Sequence, residues 1–94
     1  MYFLDVSITS SNCEVGLLVA RGRDWNWGDE DFSPITGTQT NGIVLSCQSD
    51  KLAEVQWADG GQRKRYRIGA DNAFDLVLVS GILINSNYLK QYEI

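Results

Sequence analysis

Histidine is absent from all 94 residues. Its absence removes the usual general base near neutral pH and the commonest metal ligand, which weighs against catalysis without excluding it. Cysteine is scarce. Cys13 and Cys47 are the only two, and two thiolates without histidine fall short of the four ligands of a structural zinc site. An extracellular disulfide scaffold of this size normally carries more. Cys13 and Cys47 are therefore expected as reduced, partly buried thiols, and whether they lie close in space stays open. No N-x-[ST] glycosylation acceptor occurs. The opening MYFLDVSITSS lacks the basic start and sustained apolar region of a signal peptide. The longest apolar run, LVLVSGILI from Leu76 to Ile84, is far short of the ~20 residues that cross a bilayer. A surplus of cations is missing too. Eight Lys and Arg against twelve Asp and Glu give a formal charge of −4, which argues against general affinity for nucleic acid, since phosphate neutralisation needs spare positive charge. These absences predict a cytoplasmic or nuclear protein with no membrane segment, no metal and no cofactor.

What is present suits one small globular domain, with 44% hydrophobic and 21% charged residues. Strand signals dominate. Tyr2–Ile8 (YFLDVSI) is rich in β-formers, and GLLVA at 16–20 is a short apolar run. Gly42–Gln48 and Leu52–Trp57 flank a turn at Ser49, Asp50 and Lys51 and read as a hairpin. In LAEVQW, Ala53, Val55 and Trp57 share one face, as period-2 alternation requires. The tight-turn sequence Ala58-Asp59-Gly60-Gly61 leads into QRKRYRI at 62–68, and Asp75–Val79 (DLVLV) is apolar on both faces. Asp29–Asn41 has no apolar period, holds the only proline, Pro34, and is expected to be a long surface loop. No ten-residue window has helical periodicity. The chain reads as an all-β domain of five or more short strands, most economically a partly closed barrel, which protects its edges.

Catalysis finds no support. Asp29, Glu30 and Asp31 are adjacent carboxylates, but general acid–base work needs burial beside an apolar wall, and a solvated acidic loop is expected. Ser and Cys nucleophiles lack a histidine partner, and the glycines form no phosphate cradle. The basic run Arg63-Lys64-Arg65-Tyr66-Arg67 is expected to be an exposed strand whose charges discourage edge pairing and face the acids of the 29–31 loop. Trp57 belongs to the core by its place in the strand pattern. Trp25 and Trp27, two apart, point the same way on an extended segment. Core plugging suits Trp25. For Trp27 a rigid shelf for a partner is an equal alternative, because indole rings dominate interface hot spots. Acids beside such a shelf favour a partner bearing Lys, Arg or a free amino terminus.

Val15-Gly16, Val19, Arg21-Gly22, Asp24-Trp25, Trp27 and Asp31, followed by Gly42-Ile43-Val44, Val55-Gln56-Trp57, Asp59-Gly60, Tyr66-Arg67-Ile68-Gly69 and Asp75-Leu76, together resemble the MIB/HERC domain of Mind bomb and HERC-type ubiquitin ligases. The resemblance implies an SH3-like β-barrel over residues 15–79, with residues 1–14 an N-terminal extension supplying an added strand and residues 80–94 a C-terminal extension. It also implies a non-catalytic role. In Mind bomb ligases such domains, paired with a zinc finger, grip short segments of the cytoplasmic tails of Notch ligands. Arg21, Gly22, Asp24, Trp25, Trp57, Gly69 and Asp75 become an internal lattice, with Asp24 bonded to backbone or to Arg67. The departures are Phe32-Ser33-Pro34, where the family usually has glycines, and the lengthened Trp57-Ala58-Asp59-Gly60-Gly61 turn. They fall in loops, where ligand choice resides.

The expected function is a protein-interaction module that binds a peptide or protein segment beside the 24–38 loop, in a substrate-recognition or adaptor role. Trp27, Asp29, Glu30 and Phe32 are the contact residues, with Tyr66 and Arg67 next to them. The chain has neither the Cys/His set of a RING nor the length of a HECT domain. Two other readings compete. One is a nucleic-acid-binding barrel using Arg63, Lys64, Arg65 and Tyr66. The other is an assembly module pairing through Tyr2–Ile8 or Ile82–Tyr88. The sequence leaves the ligand, the oligomeric state and the parent protein, if any, open.

Overall fold

The computed structural model describes residues 2–79. Residues 80–94, and with them the expected C-terminal extension and the Ile82–Tyr88 pairing, lie outside the described residues. The alternation of LAEVQW resolves as expected: Leu52–Trp57 is a strand (β4) that turns Ala53, Val55 and Trp57 fully inward. Its partners are β3, Gly42–Cys47, reached through the turn at Ser49–Lys51, and β5, Arg63–Arg67, reached through 58–62. In the second turn Asp59 and Gly60 both hold positive φ, 59° and 72°, the conformation that lets a two-residue turn follow the twist of its strands. The remaining strands are β1 (Tyr2–Ser7), β2 (Leu18–Arg21) and β6 (Leu76–Val79), with one short 3-10 helix at Ala70–Asn72.

Among the described residues the six strands form one antiparallel sheet in the order β1-β6-β2-β3-β4-β5. β1 adds to the outer edge of β6, and β5 is the opposite end. The sheet curls until the exit of β5 meets the entry of β6. There the Asp75 N–H donates to the Arg67 carbonyl at 2.9 Å, and Ile68 bridges Phe74. Two bonded strand ends without a full ladder make this an all-β, partly closed barrel. Its interior is filled by Ile8, Leu17, Val19, Val44, Val55, Trp57, Tyr66, Ile68 and Leu76, all essentially closed to solvent.

The expectation of two reduced thiols is corrected. Cys13 and Cys47, 34 positions apart in the chain, form a disulfide with Cα atoms 6.1 Å apart. The strand register brings them together. Leu18 pairs with Ile43, and Gly16 N–H donates to the Val44 carbonyl at 2.8 Å. Carried a few residues outward, that antiparallel path sets Cys13 opposite Cys47.

Candidate functional site

The stretch RGRDWNWGDED leaves β2 and crosses the open end of the barrel as a loop pinned at both ends. At its start the Gly22 N–H donates to the Asp75 carbonyl at 2.6 Å. A Cβ at Gly22 would lie 2.8 Å from the Leu76 nitrogen, so only glycine permits this approach of backbone to backbone. Asp24 follows. Its carboxylate accepts the Phe74 N–H at 2.7 Å, and its carbonyl accepts from Arg67 at 3.1 Å. Of the two alternatives expected for Asp24, the carboxylate takes the backbone, and Arg67 meets only the Asp24 carbonyl. The carboxylate matched to Arg67 is that of Asp75, wholly buried and bound through two parallel bonds of 2.9 and 2.8 Å. These bonds raise the Arg67 pKa further above its ordinary value.

The far end of the loop is held by a second arginine fork. Arg21 donates to Asp31 through Nε at 2.8 Å and Nη2 at 2.6 Å, and Asp31 is 0% exposed. The expected solvated acidic loop is therefore corrected at this position: Asp31 is an interior anion that Arg21 neutralises, as burial of a charge requires. The Thr40 N–H and hydroxyl both donate to the Asp31 carbonyl, at 2.9 and 2.7 Å. Arg21 also donates to the Gly28 carbonyl, which accepts the Trp25 indole N–H at 2.9 Å. Its guanidinium sits 5.3 Å from the centre of the Trp25 ring and 5.9 Å from that of Phe32, within cation–π range.

Between the two forks the aromatic side chains stack in depth. Trp57 and Tyr66 are buried on β4 and β5. Trp25 lies over Tyr66 with ring centres 5.1 Å apart and meets Trp57 edge-on at 5.7 Å. The Tyr66 hydroxyl accepts the Trp57 indole N–H at 2.9 Å and donates to Glu30 at 3.0 Å. Burial pushes the Tyr66 pKa well above its ordinary value, and the Glu30 carboxylate adds to the rise. Glu30 faces Lys64 at 3.6 Å, so the basic strand meets the acidic loop there as expected, but the expectation of an exposed strand is corrected at its end, where Tyr66 is buried in the aromatic stack and Arg67 is half-buried on Asp75. Trp27 is the outermost ring. It stays 37% exposed, edge-on to Tyr66 at 6.5 Å, with the Arg67 guanidinium 5.2 Å from its centre. The indole is held from beneath and from one side while the rest of it meets water.

The six residues expected to contact a ligand fall into two groups. Trp27, Glu30, Tyr66 and Arg67 come together, but Tyr66 is 1% exposed and forms the floor beneath Trp27. Asp29 and Phe32 line a separate groove, whose opposite wall is Gly60, Gly61 and Gln62 of the β4–β5 turn, with Pro34 and Gly37 at its rim. Sequence reasoning did not place the turn in the site. The link is Ser33, which is buried and donates to the Asp59 carboxylate at 2.6 Å, fastening loop to turn. The resemblance touched this contact only by marking the lengthened Trp57–Gly61 turn as a departure from the family pattern. Arg63 pairs with Glu54 at 3.1 Å on the outer face.

The fold and site are those of a small SH3-like barrel whose tryptophan loop is pinned by two arginine–aspartate forks. The Mib_herc2 family model matches residues 16–80, and the chain belongs to that family. It is 37% identical over 75 residues to the E3 ubiquitin-protein ligase MIB2 of Gallus gallus, an alignment covering 72% of this chain and 7% of the relative. To the E3 ubiquitin-protein ligase HERC2 of Mus musculus it is 36% identical over 66 residues, 70% of this chain and 1% of the relative. To the E3 ubiquitin-protein ligase Ufd4 of Drosophila melanogaster it is 33% identical over 81 residues, 83% of this chain and 2% of the relative. The chain thus spans a few per cent of the length of these relatives, and the domain is one that occurs within ubiquitin ligases.

Proposed function

We propose that this domain is a non-catalytic recognition module that binds a peptide or protein segment for a ubiquitin ligase, in the cytoplasm or nucleus. The observation that carries the reading is Trp27. The structure devotes two ion pairs and a stack of three other rings to positioning the 22–31 loop, yet leaves the Trp27 ring at its apex more than a third exposed. A residue needed only for closure would sink like Trp25. A rigid, partly exposed indole is a low-entropy contact surface, and such rings anchor interfaces. Asp29 and Phe32 extend the contact into the groove against the β4–β5 turn. Glu30, Tyr66 and Arg67 hold the shelf in place, and Glu30 and Asp29 give its rim negative charge.

The test is selection of displayed peptides on the immobilised domain, repeated with Trp27→Ala after its fold is confirmed by thermal unfolding. The expected result is one enriched motif that disappears with Trp27→Ala. Enrichment that survives the substitution, or none from a folded domain, would refute this site.

A further inference from the structure

The segment between β1 and β2 is held to the barrel in an unusual way. Residues 9–13 form a self-contained turn. The Asn12 and Cys13 N–H groups donate to the Thr9 carbonyl, the Thr9 N–H donates to the Asn12 side chain, and that side chain donates to the Ser7 carbonyl. Every hydrogen bond described for residues 9–13 stays within residues 7–13. Attachment resumes at Gly16, whose N–H donates to Val44. Across the interval, the segment is tied back to the start of the sheet by the Asn12 bond to Ser7 of β1, and to β3 by the covalent bond from Cys13 to Cys47. The two cysteines differ in exposure. Cys13 is half-buried and packs against the core, whereas Cys47 is exposed at the end of β3.

We propose that Cys13–Cys47 is a thiol–disulfide exchange site, addressed by glutathione, that fastens and releases the β1–β2 segment. Exchange requires a thiolate to reach one sulfur of the bond, and exposed disulfides are the labile ones. The sulfur of Cys47, the more exposed of the two residues, is the point of attack. A glutathione thiolate bonds to it, the Cys13–Cys47 bond breaks, and Cys13 leaves with the electron pair and takes up a proton. A second glutathione thiolate then attacks the glutathione sulfur of the mixed disulfide, releasing Cys47 as a thiol. Two glutathione thiols are oxidised to one glutathione disulfide while one protein disulfide is reduced to two thiols. The reverse reaction closes the clamp. In the open form residues 9–15 retain only their local turn, while Ile8 and Leu17, both in the core, keep the flanking strands in place. The switch therefore acts on one segment and leaves the barrel intact.

The experiment equilibrates the 94-residue chain with mixtures of glutathione and glutathione disulfide, traps free thiols by alkylation, and reads bond state by intact mass and local opening by hydrogen exchange. The expected result is a reversible passage from closed to open as the mixture is made more reducing. Amides of residues 9–16 should exchange at least about tenfold faster in the open form, with those of β4 and β5 unchanged. Cys47→Ser in oxidising buffer should exchange like the open form. A bond that persists in excess glutathione, thiols that stay separate in excess glutathione disulfide, or equal exchange in both states would each overturn the proposal.

Discussion

Replacing Asp31 with alanine tests whether the tryptophan loop is held by a buried charge. Asp31 is closed to solvent and takes two hydrogen bonds from Arg21 at 2.8 and 2.6 Å. Breaking a buried ion pair on one side costs about 3–5 kcal/mol, because the surviving charge loses its partner. The Arg21 side chain is 33% exposed, so its guanidinium can recover some hydration, and the loss should fall at the low end, about 3 kcal/mol. A 94-residue domain holds roughly 5–14 kcal/mol in total, so the variant folds but is clearly weakened. At ~4–8 °C per kcal/mol for domains of this size, Tm should drop by about 12–24 °C. Circular dichroism melts and urea titrations would measure both. Asp31→Asn keeps acceptor and shape and should lose less. The double change Arg21→Met with Asp31→Leu removes both charges and should regain much of the loss, since apolar replacements of buried pairs are often neutral or better. A fall of under about 4 °C in Asp31→Ala would put the pair in the range of surface salt bridges and sink the argument.

Two further outcomes are expected. Asp24→Ala removes the acceptor of the Phe74 N–H and should cost ~1–3 kcal/mol, the price of a donor left without a partner; an unchanged melting temperature would refute the lattice built on Asp24. Tyr66→Phe leaves the buried Trp57 indole N–H without its acceptor, again ~1–3 kcal/mol, and it should also change the alkaline limb. In the folded protein Tyr66 keeps its proton above the ordinary value of 10.0, whereas the unfolded chain releases it near there. The unfolded state then binds fewer protons, so stability falls as pH rises. The Tyr66 contribution is complete below pH 10 and drains above it. Urea titrations across that range should show a shallower decline in Tyr66→Phe than in the parent, and identical slopes would contradict this assignment.

Period-2 alternation placed Ala53, Val55 and Trp57 in the core and predicted the hairpins on either side, because each strand meets the interior on one face. The same logic fails in the 22–41 loop, where no period exists. There Asp31 looks like one member of a solvated acidic run, and its burial becomes visible only once Arg21, ten residues earlier, is known to reach it. The motif placed Asp24 in a lattice with Arg67 but did not reveal that Asp75 supplies the matching carboxylate. The β5–β6 junction does that, and it depends on how far the sheet curls. The disulfide escaped for a related reason. Its partners meet through the register of β2 with β3, two strands separated by a long loop, and a count of cysteines carries no register. The groove wall at Gly60–Gly61 was missed because a turn sequence announces a turn without saying what folds against it.

The depth ordering of the indoles also gives the domain a built-in optical reporter. Trp57 is buried and Trp25 is partly buried against the core, while Trp27 alone is exposed as a large hydrophobic among them. Its emission should therefore be the reddest of the three and the most open to a dissolved quencher. A partner settling on the shelf would dry that one fluorophore, shifting its emission to shorter wavelength and shielding it from quenching, while the other two kept their surroundings. Occupancy of the loop can then be followed on the unmodified protein, with no dye attached.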